Sequence, residues 1–103
     1  MQVNDEIKEI VEIIKRTVPV VAIYLFGSFA NGTATEKSDY DFYVVIKDNT
    51  MRDLEAGWEI RYNLPKQTRP IDILVGTQSR FDDYKDCYSV EEEVYNKGVK
   101  LYG

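Results

Sequence analysis

The sequence predicts a small α/β domain of the α+β kind, a mixed β-sheet flanked by helices, on three observations. Two short apolar runs, Val20–Phe26 and the segment 44–46, are rich in β-branched and aromatic residues and read as buried strands. Apolar residues ahead of the first run recur at helical spacing. Cap and turn residues then punctuate the chain so that helix and strand alternate to its end.

The elements follow in order. Asn4 is a good N-cap, and Asp5 and Glu6 complement the positive end of a helix dipole. Val3, Ile7, Ile10, Val11, Ile14 and Val18 then line one face, which predicts an amphipathic helix over 4–17, stopped by Pro19. Residues 20–26 form a central strand buried on both faces, ended by Gly27. Residues 28–38 are small and polar, with Gly32 among them, and read as a loop with room for one helical turn. Strand character returns over 39–47. Thr50, with Asp53 three residues on, opens a second helix whose apolar side is Leu54, Trp58, Ile60 and Tyr62, and Leu64-Pro65 ends it. Residues 69–75 are a third strand, closed by Gly76. Ser79 with Asp82 caps a short helix to about Tyr88. Ser89 and Glu92 form a capping box for a last helix to about Lys97, with Gly98 where a C-cap glycine belongs. Residues 99–102 make a final edge strand. No repeat, low-complexity tract or linker divides the chain, so residues 1–103 are expected to form a single domain.

Composition narrows the chemistry. Of the 103 residues 44% are hydrophobic, enough for one core. The net charge of −5 argues against unaided binding of a long nucleic acid, which calls for a basic track. Cys87 is the sole cysteine, which excludes an intrachain disulfide or a thiolate metal cage and suits a reducing cytoplasm. The longest apolar run, 18–26, contains Pro19 and is too short to span a bilayer, so no membrane association is expected. The acidic, amphipathic start does not fit a secretory signal. With no histidine, Ser-His triads, imidazole bases and His-metal sites drop out. Catalysis must run on carboxylates, hydroxyls, lysines, arginines and backbone groups.

Three features converge on such chemistry. Gly27-Ser28 directly follows the first strand, where a glycine lets the backbone approach a phosphate and the amides and hydroxyl can donate to it; a plain turn has the same residues. Asp39 and Asp41 lie at the entry to the second strand, two residues apart and so on one face, with Tyr40 and Phe42 on the other. Adjacent carboxylates repel unless a hard cation such as Mg²⁺ lies between them; two solvated aspartates at a turn are the ordinary alternative. Asp72 interrupts an apolar strand, with Ile71, Ile73 and Val75 facing one way and Asp72 and Leu74 the other. If that strand lies beside the second, Asp72 joins Asp39 and Asp41; as an edge strand it would leave Asp72 in solvent.

Gly27-Ser28, ten residues, then Asp39-x-Asp41 running into an apolar strand, with the later lone Asp72, resembles the signature of the DNA polymerase β-like nucleotidyltransferase superfamily. Within it the chain is most similar to the minimal nucleotidyltransferases of bacteria and archaea, along essentially its whole length. The resemblance implies that fold, and a transfer of AMP from ATP to an acceptor hydroxyl. Asp39 and Asp41 would hold two Mg²⁺ ions, one on the triphosphate and one on the acceptor hydroxyl. Asp72 would bind the second ion and take the hydroxyl proton, while Gly27 and Ser28 would hold the β- and γ-phosphates. Relatives commonly carry Ala-Arg-Gly where this chain has Ala30-Asn31-Gly32, which bears on triphosphate affinity rather than on the metal chemistry. Arg61, Lys66 and Arg69 are candidates for the nucleotide or acceptor side, with ordinary surface charge as the alternative; Lys37 reads as a solvated loop lysine.

Larger relatives have an additional module for the acceptor, so a partner protein is expected to supply it here. The resemblance implies a HEPN-type RNase toxin, with this chain as its antitoxin. A catalytically weak module that neutralises its partner by binding alone is the alternative reading, and an antibiotic adenylyltransferase ranks below both. Tyr84, Tyr88, Tyr95 and Tyr102 suit half-buried packing or a docking surface better than base stacking. Self-association is left open.

Overall fold

The computed structural model describes residues 4–65 and 69–103. The elements run α1 (Asp5–Thr17), β1 (Val20–Phe26), α2 (Ser28–Asn31), β2 (Tyr40–Ile46), α3 (Asp53–Asn63), β3 (Ile71–Thr77), α4 (Gln78–Tyr84), α5 (Val90–Lys97) and β4 (Val99–Tyr102). Asn4 caps α1 as expected, its Oδ1 accepting from the Ile7 amide at 2.8 Å, and its Nδ2 donates to the Tyr40 hydroxyl at 3.2 Å. One residue thus starts the helix and ties it to β2. The helix buries Ile7, Ile10, Ile13 and Ile14; Val3 falls outside the described residues.

The four strands form one sheet in the order β3-β2-β1-β4. β1 is antiparallel to both β2 and β4, while β2 and β3 are parallel and therefore need a crossover, which α3 supplies. The sheet is mixed and flanked by helices on both faces, as predicted. Side-chain alternation sorts the strands into two cores. Ile23, Leu25, Phe42, Val44, Ile46 and Ile73 pack against α1 and α3. Ala22, Tyr24, Tyr43 and Val45 pack against Phe81 of α4 and Val94 of α5. The β1–β2 register slips between Val20 and Ala22, so Val21 and Ala22 both turn to the second core. Burial of each large side chain contributes about 1.5–3 kcal/mol, and the interior strands β1 and β2 carry most of it.

Several local expectations are corrected. α3 starts at Asp53 with Arg52 in the cap position; the Thr50 hydroxyl donates to the Lys47 carbonyl instead. Of the apolar side expected for α3, only Ile60 faces the core. Ala56, Gly57 and Ile60 are buried, whereas Leu54, Trp58 and Tyr62 are exposed. Counting large apolar residues picked the outer side, because the inner side must be narrow to pass close over the sheet. β3 begins at Ile71, not 69, and runs through Gly76 to Thr77. Gly76 does not end the strand; a Cβ there would collide with the Tyr43 hydroxyl, so the glycine makes room for that ring. Thr77, not Ser79, caps α4 through the Arg80 amide, and Ser79 bonds Asp48 through both its amide and its hydroxyl. α4 ends at Tyr84 rather than near Tyr88. Ser89 caps α5 as expected. Gly98 occupies the C-cap but at φ −74°, outside the left-handed region; its missing Cβ avoids the Val94 carbonyl.

Candidate active site

β2 and β3 define the site through their register. Asp41 pairs with Asp72, Phe42 with Ile73 and Tyr43 with Leu74. In a parallel pair, register partners project to the same face, so Asp41 and Asp72 stand side by side. Asp41 shares its face with Tyr43, two residues on, which lies in the second core. At the Tyr43 end that face is covered by Phe81 and Val94; at the Asp41 end it opens into a cleft of about 260 Å³ lined by Phe26, Asp41, Arg61, Asp72, Ile73 and Leu74. β3 is an edge strand and Asp72 is exposed, so both sequence alternatives hold at once. The edge position gives solvent access while the register still delivers the carboxylate to Asp41.

Burial, the charges of Asp72 and Asp39 and a hydrogen bond with Asp72 together raise the Asp41 carboxyl above the usual aspartate range. Asp41 thus gives up its proton less readily than a free carboxyl. A hard divalent cation is the natural counter-charge, and the donor set of two facing carboxylates with a third close by fits one. Among the described residues no three acidic side chains are gathered tightly enough to cage an ion alone. Mg²⁺ seldom needs such a cage, since it is commonly held by one or two carboxylates with substrate phosphates completing the shell.

Gly27 lies directly against Asp41. It has φ +75°, and a Cβ would collide with Asp41 Oδ2. Both the turn and the closeness of the carboxylate therefore call for glycine. Ser28 begins α2, a single turn of four residues closed by Gly32 in the left-handed conformation at φ +77°. Asn31 is the last residue of that turn, its amide donating to the Gly27 carbonyl at 3.0 Å.

Asp39 sits one residue ahead of β2, at the end of a loop that Arg69 holds in place. The Arg69 Nη1 donates to the carbonyls of Thr35 at 3.0 Å and Ser38 at 2.9 Å, and its guanidinium lies over the rings of Phe29 at 4.9 Å and Tyr40 at 5.4 Å. The Ser38 hydroxyl accepts from the Thr35 amide at 2.8 Å within the same loop. Arg69 thus holds the approach to Asp39 through its Nη1. Arg61 donates to the Ile73 carbonyl at 2.8 Å and borders the cleft. Lys66 lies outside the described residues.

Sequence reasoning missed one buried polar group. Glu91 is 3% exposed, its Oε2 accepting from the Tyr43 hydroxyl at 2.8 Å and from Arg80 Nε at 3.4 Å. Burial and the Glu91 carboxylate push the Tyr43 phenol upward. Glu91 sits in a run of three glutamates at the start of α5, which reads as a solvated helix end; its one distinguishing signal is helical spacing to Val94.

A four-stranded mixed sheet with a glycine turn and paired aspartates at one open end defines the class of domain that transfers nucleotidyl groups. The family model for the nucleotidyltransferase domain matches residues 7–100, and the chain belongs to that family. Solved structures share the fold. A toxin–antitoxin complex, MntA–HpeT, carrying two Asp-to-Glu substitutions aligns with TM-score 0.68 at 23% identity, over 97% of this chain and 74% of that one. A toxin–antitoxin structure with AMP-PNP gives 0.64 at 22%, over 97% and 74%. A Sulfolobus solfataricus protein provisionally assigned as a nucleotidyltransferase gives 0.64 at 23%, over 93% and 76%. No curated protein sequence matches. Among the described residues no helix is long and apolar enough to cross a membrane.

Proposed function

We propose that this domain transfers AMP from ATP to a hydroxyl of a partner protein, in the manner of a cytoplasmic antitoxin that modifies a HEPN-type toxin. The observation that carries the transfer reading is the Asp41–Asp72 register pair against the Gly27 turn. Family membership supports nucleotidyl chemistry. The toxin–antitoxin relatives, one of them with AMP-PNP, support an adenine nucleotide and a protein partner.

Asp39, Asp41 and Asp72 are assigned to hold Mg²⁺, two ions by family analogy, which when bound would offset the triphosphate charge and lower the barrier to hydroxyl attack. Asp72 is assigned to accept the hydroxyl proton from an acceptor entering the open cleft, a role its greater exposure within the register pair supports. Gly27 lets the backbone approach the phosphates, and the Ser28 hydroxyl donates to them. The net charge of −5 supports a protein acceptor over a polynucleotide end, which would need cations along its approach.

The test is incubation with Mg²⁺, ATP labelled at either the α- or the γ-phosphate, and the purified product of the neighbouring gene. Label retained from the α-phosphate alone, with one or more nucleotidyl increments in acceptor mass, supports the reading. Label from the γ-phosphate, or extension of free RNA with the protein unlabelled, contradicts it.

A further inference from the structure

On α3, Leu54 and Trp58 are each 64% exposed and Tyr62 is 88% exposed. Spaced four residues apart, they form one continuous stripe on the helix surface. A large apolar residue repeated at every turn on the solvent side is the reverse of what a helix packed on a sheet requires, and it marks an interaction face. Three side chains of this size offer roughly 400–500 Å² of surface, about half of the ~800 Å² that each side of a standard interface buries. The rest must come from ground beside the stripe.

That ground leads to the carboxylates. A groove of about 290 Å³ runs between α3 and β3, lined by Leu54, Arg61 and the exposed Leu74 among others. Arg61, Ile73 and Leu74 also line the cleft holding Asp41 and Asp72. Stripe, groove and carboxylates form one surface. By contrast, Tyr88 belongs to a separate concavity beside α5, lined also by Glu92 and Glu93, which shares no residue with the cleft.

We infer that the α3 stripe, with the α3–β3 groove, is the docking surface for the acceptor protein of the proposed transfer, and that it aims the acceptor hydroxyl at Asp41 and Asp72. The inference rests on that reading for the acceptor but not for the existence of the interface. Exposed Glu55 and Glu59 flank the stripe and Asp53 borders the groove, outnumbering Arg61, the cation in the groove's lining. The occupant that fits is a protein with an apolar anchor ringed by lysines or arginines. A phosphate backbone is repelled by the same carboxylates.

The experiment uses the full chain, the purified neighbouring-gene product and the variants Trp58→Ser/Tyr62→Ser and Asp41→Asn. Complex formation is read by calorimetry, acceptor labelling with α-labelled ATP, Mg·ATP binding by fluorescence, and self-association by sedimentation. The double variant is expected to weaken the complex and slow labelling at least tenfold, with Mg·ATP binding unchanged. Asp41→Asn is expected to keep the complex and lose labelling. A complex lost in the double variant without labelling by the wild type would uphold the docking surface while rejecting transfer. Wild-type complex and labelling in the double variant, no complex with the wild type, or self-association of the wild type abolished by the double variant would each overturn the inference.

Discussion

Asp41 on β2 and Asp72 on β3 are direct register partners in the only parallel pairing of the described strands, so their carboxyls share one face of the sheet. Burial and the neighbouring carboxylates raise the Asp41 carboxyl, and a cation beside the pair would relieve the repulsion between two ionised groups. Asp41→Asn is therefore expected to leave the fold intact and reduce transfer by at least 10²-fold, as loss of a charge-stabilising group does. With no metal present the variant is expected to melt higher than the parent at neutral pH, by on the order of a few degrees. Nucleotide-transfer assays and melting curves with EDTA check both. Full activity with ordinary Mg²⁺ dependence would show that Asp41 is no ligand.

Gly27→Ala is expected to cost about 1–3 kcal/mol and to lose activity in parallel. The native φ of +75° is strained for alanine, and the new methyl meets the Asp41 carboxylate. Denaturant titration measures the first effect and labelling the second. A variant of wild-type stability would mean the turn relaxes without consequence.

Tyr43→Phe removes a hydrogen bond from the buried Glu91 and leaves it Arg80 as the partner. Loss of about 1–3 kcal/mol is expected, since a buried carboxylate loses a donor. Glu91→Gln is expected to be milder, because an amide oxygen still accepts from the phenol. Equal stability of wild type and Tyr43→Phe by chemical denaturation would remove the network from the account of the second core.

Asp48 lies at the start of α4 through its two bonds from Ser79, and those bonds lower its carboxyl below the usual aspartate range. A depressed folded-state value means the contribution is fully present above the unfolded value and is lost as pH falls through the folded one. Melting temperatures of the wild type and Asp48→Ala should therefore differ at pH 7 and converge as pH falls below the ordinary aspartate value. A difference that persists unchanged at low pH would assign the effect to something other than ionisation.

The strands were legible because their apolar runs are short and unmixed, and the Asp41–Asp72 pairing followed from alternation once the β2–β3 neighbourhood was supposed. That neighbourhood itself is not written in local sequence; it comes from α3 crossing over the sheet. α3 was misread for the same reason. Its inner face is Ala56, Gly57 and Ile60, small residues chosen for closeness, and its largest apolar residues face outward. Arg69 reads from sequence as a candidate for the nucleotide or acceptor side or as ordinary surface charge, yet stacking on Phe29 and Tyr40 and three-dimensional access to the Thr35 and Ser38 carbonyls turn it into the clamp of the loop. Gly76 was read as a stop, whereas the strand runs through it and the glycine makes room for the Tyr43 hydroxyl; Gly98 does cap α5, and its missing Cβ also avoids the Val94 carbonyl.

The central claim is that Asp39, Asp41 and Asp72 form one divalent-cation site beside the Gly27-Ser28 turn. Titration of the ¹⁵N-labelled protein with Mn²⁺ in the presence of a non-hydrolysable ATP analogue tests it most directly, since the ion broadens amide resonances according to their distance from it. The account predicts that residues 27–28, 39–41 and 72 broaden first in the wild type and are spared in Asp41→Asn. Broadening centred instead on the glutamates of α5, or a wild-type pattern retained in Asp41→Asn, would contradict it.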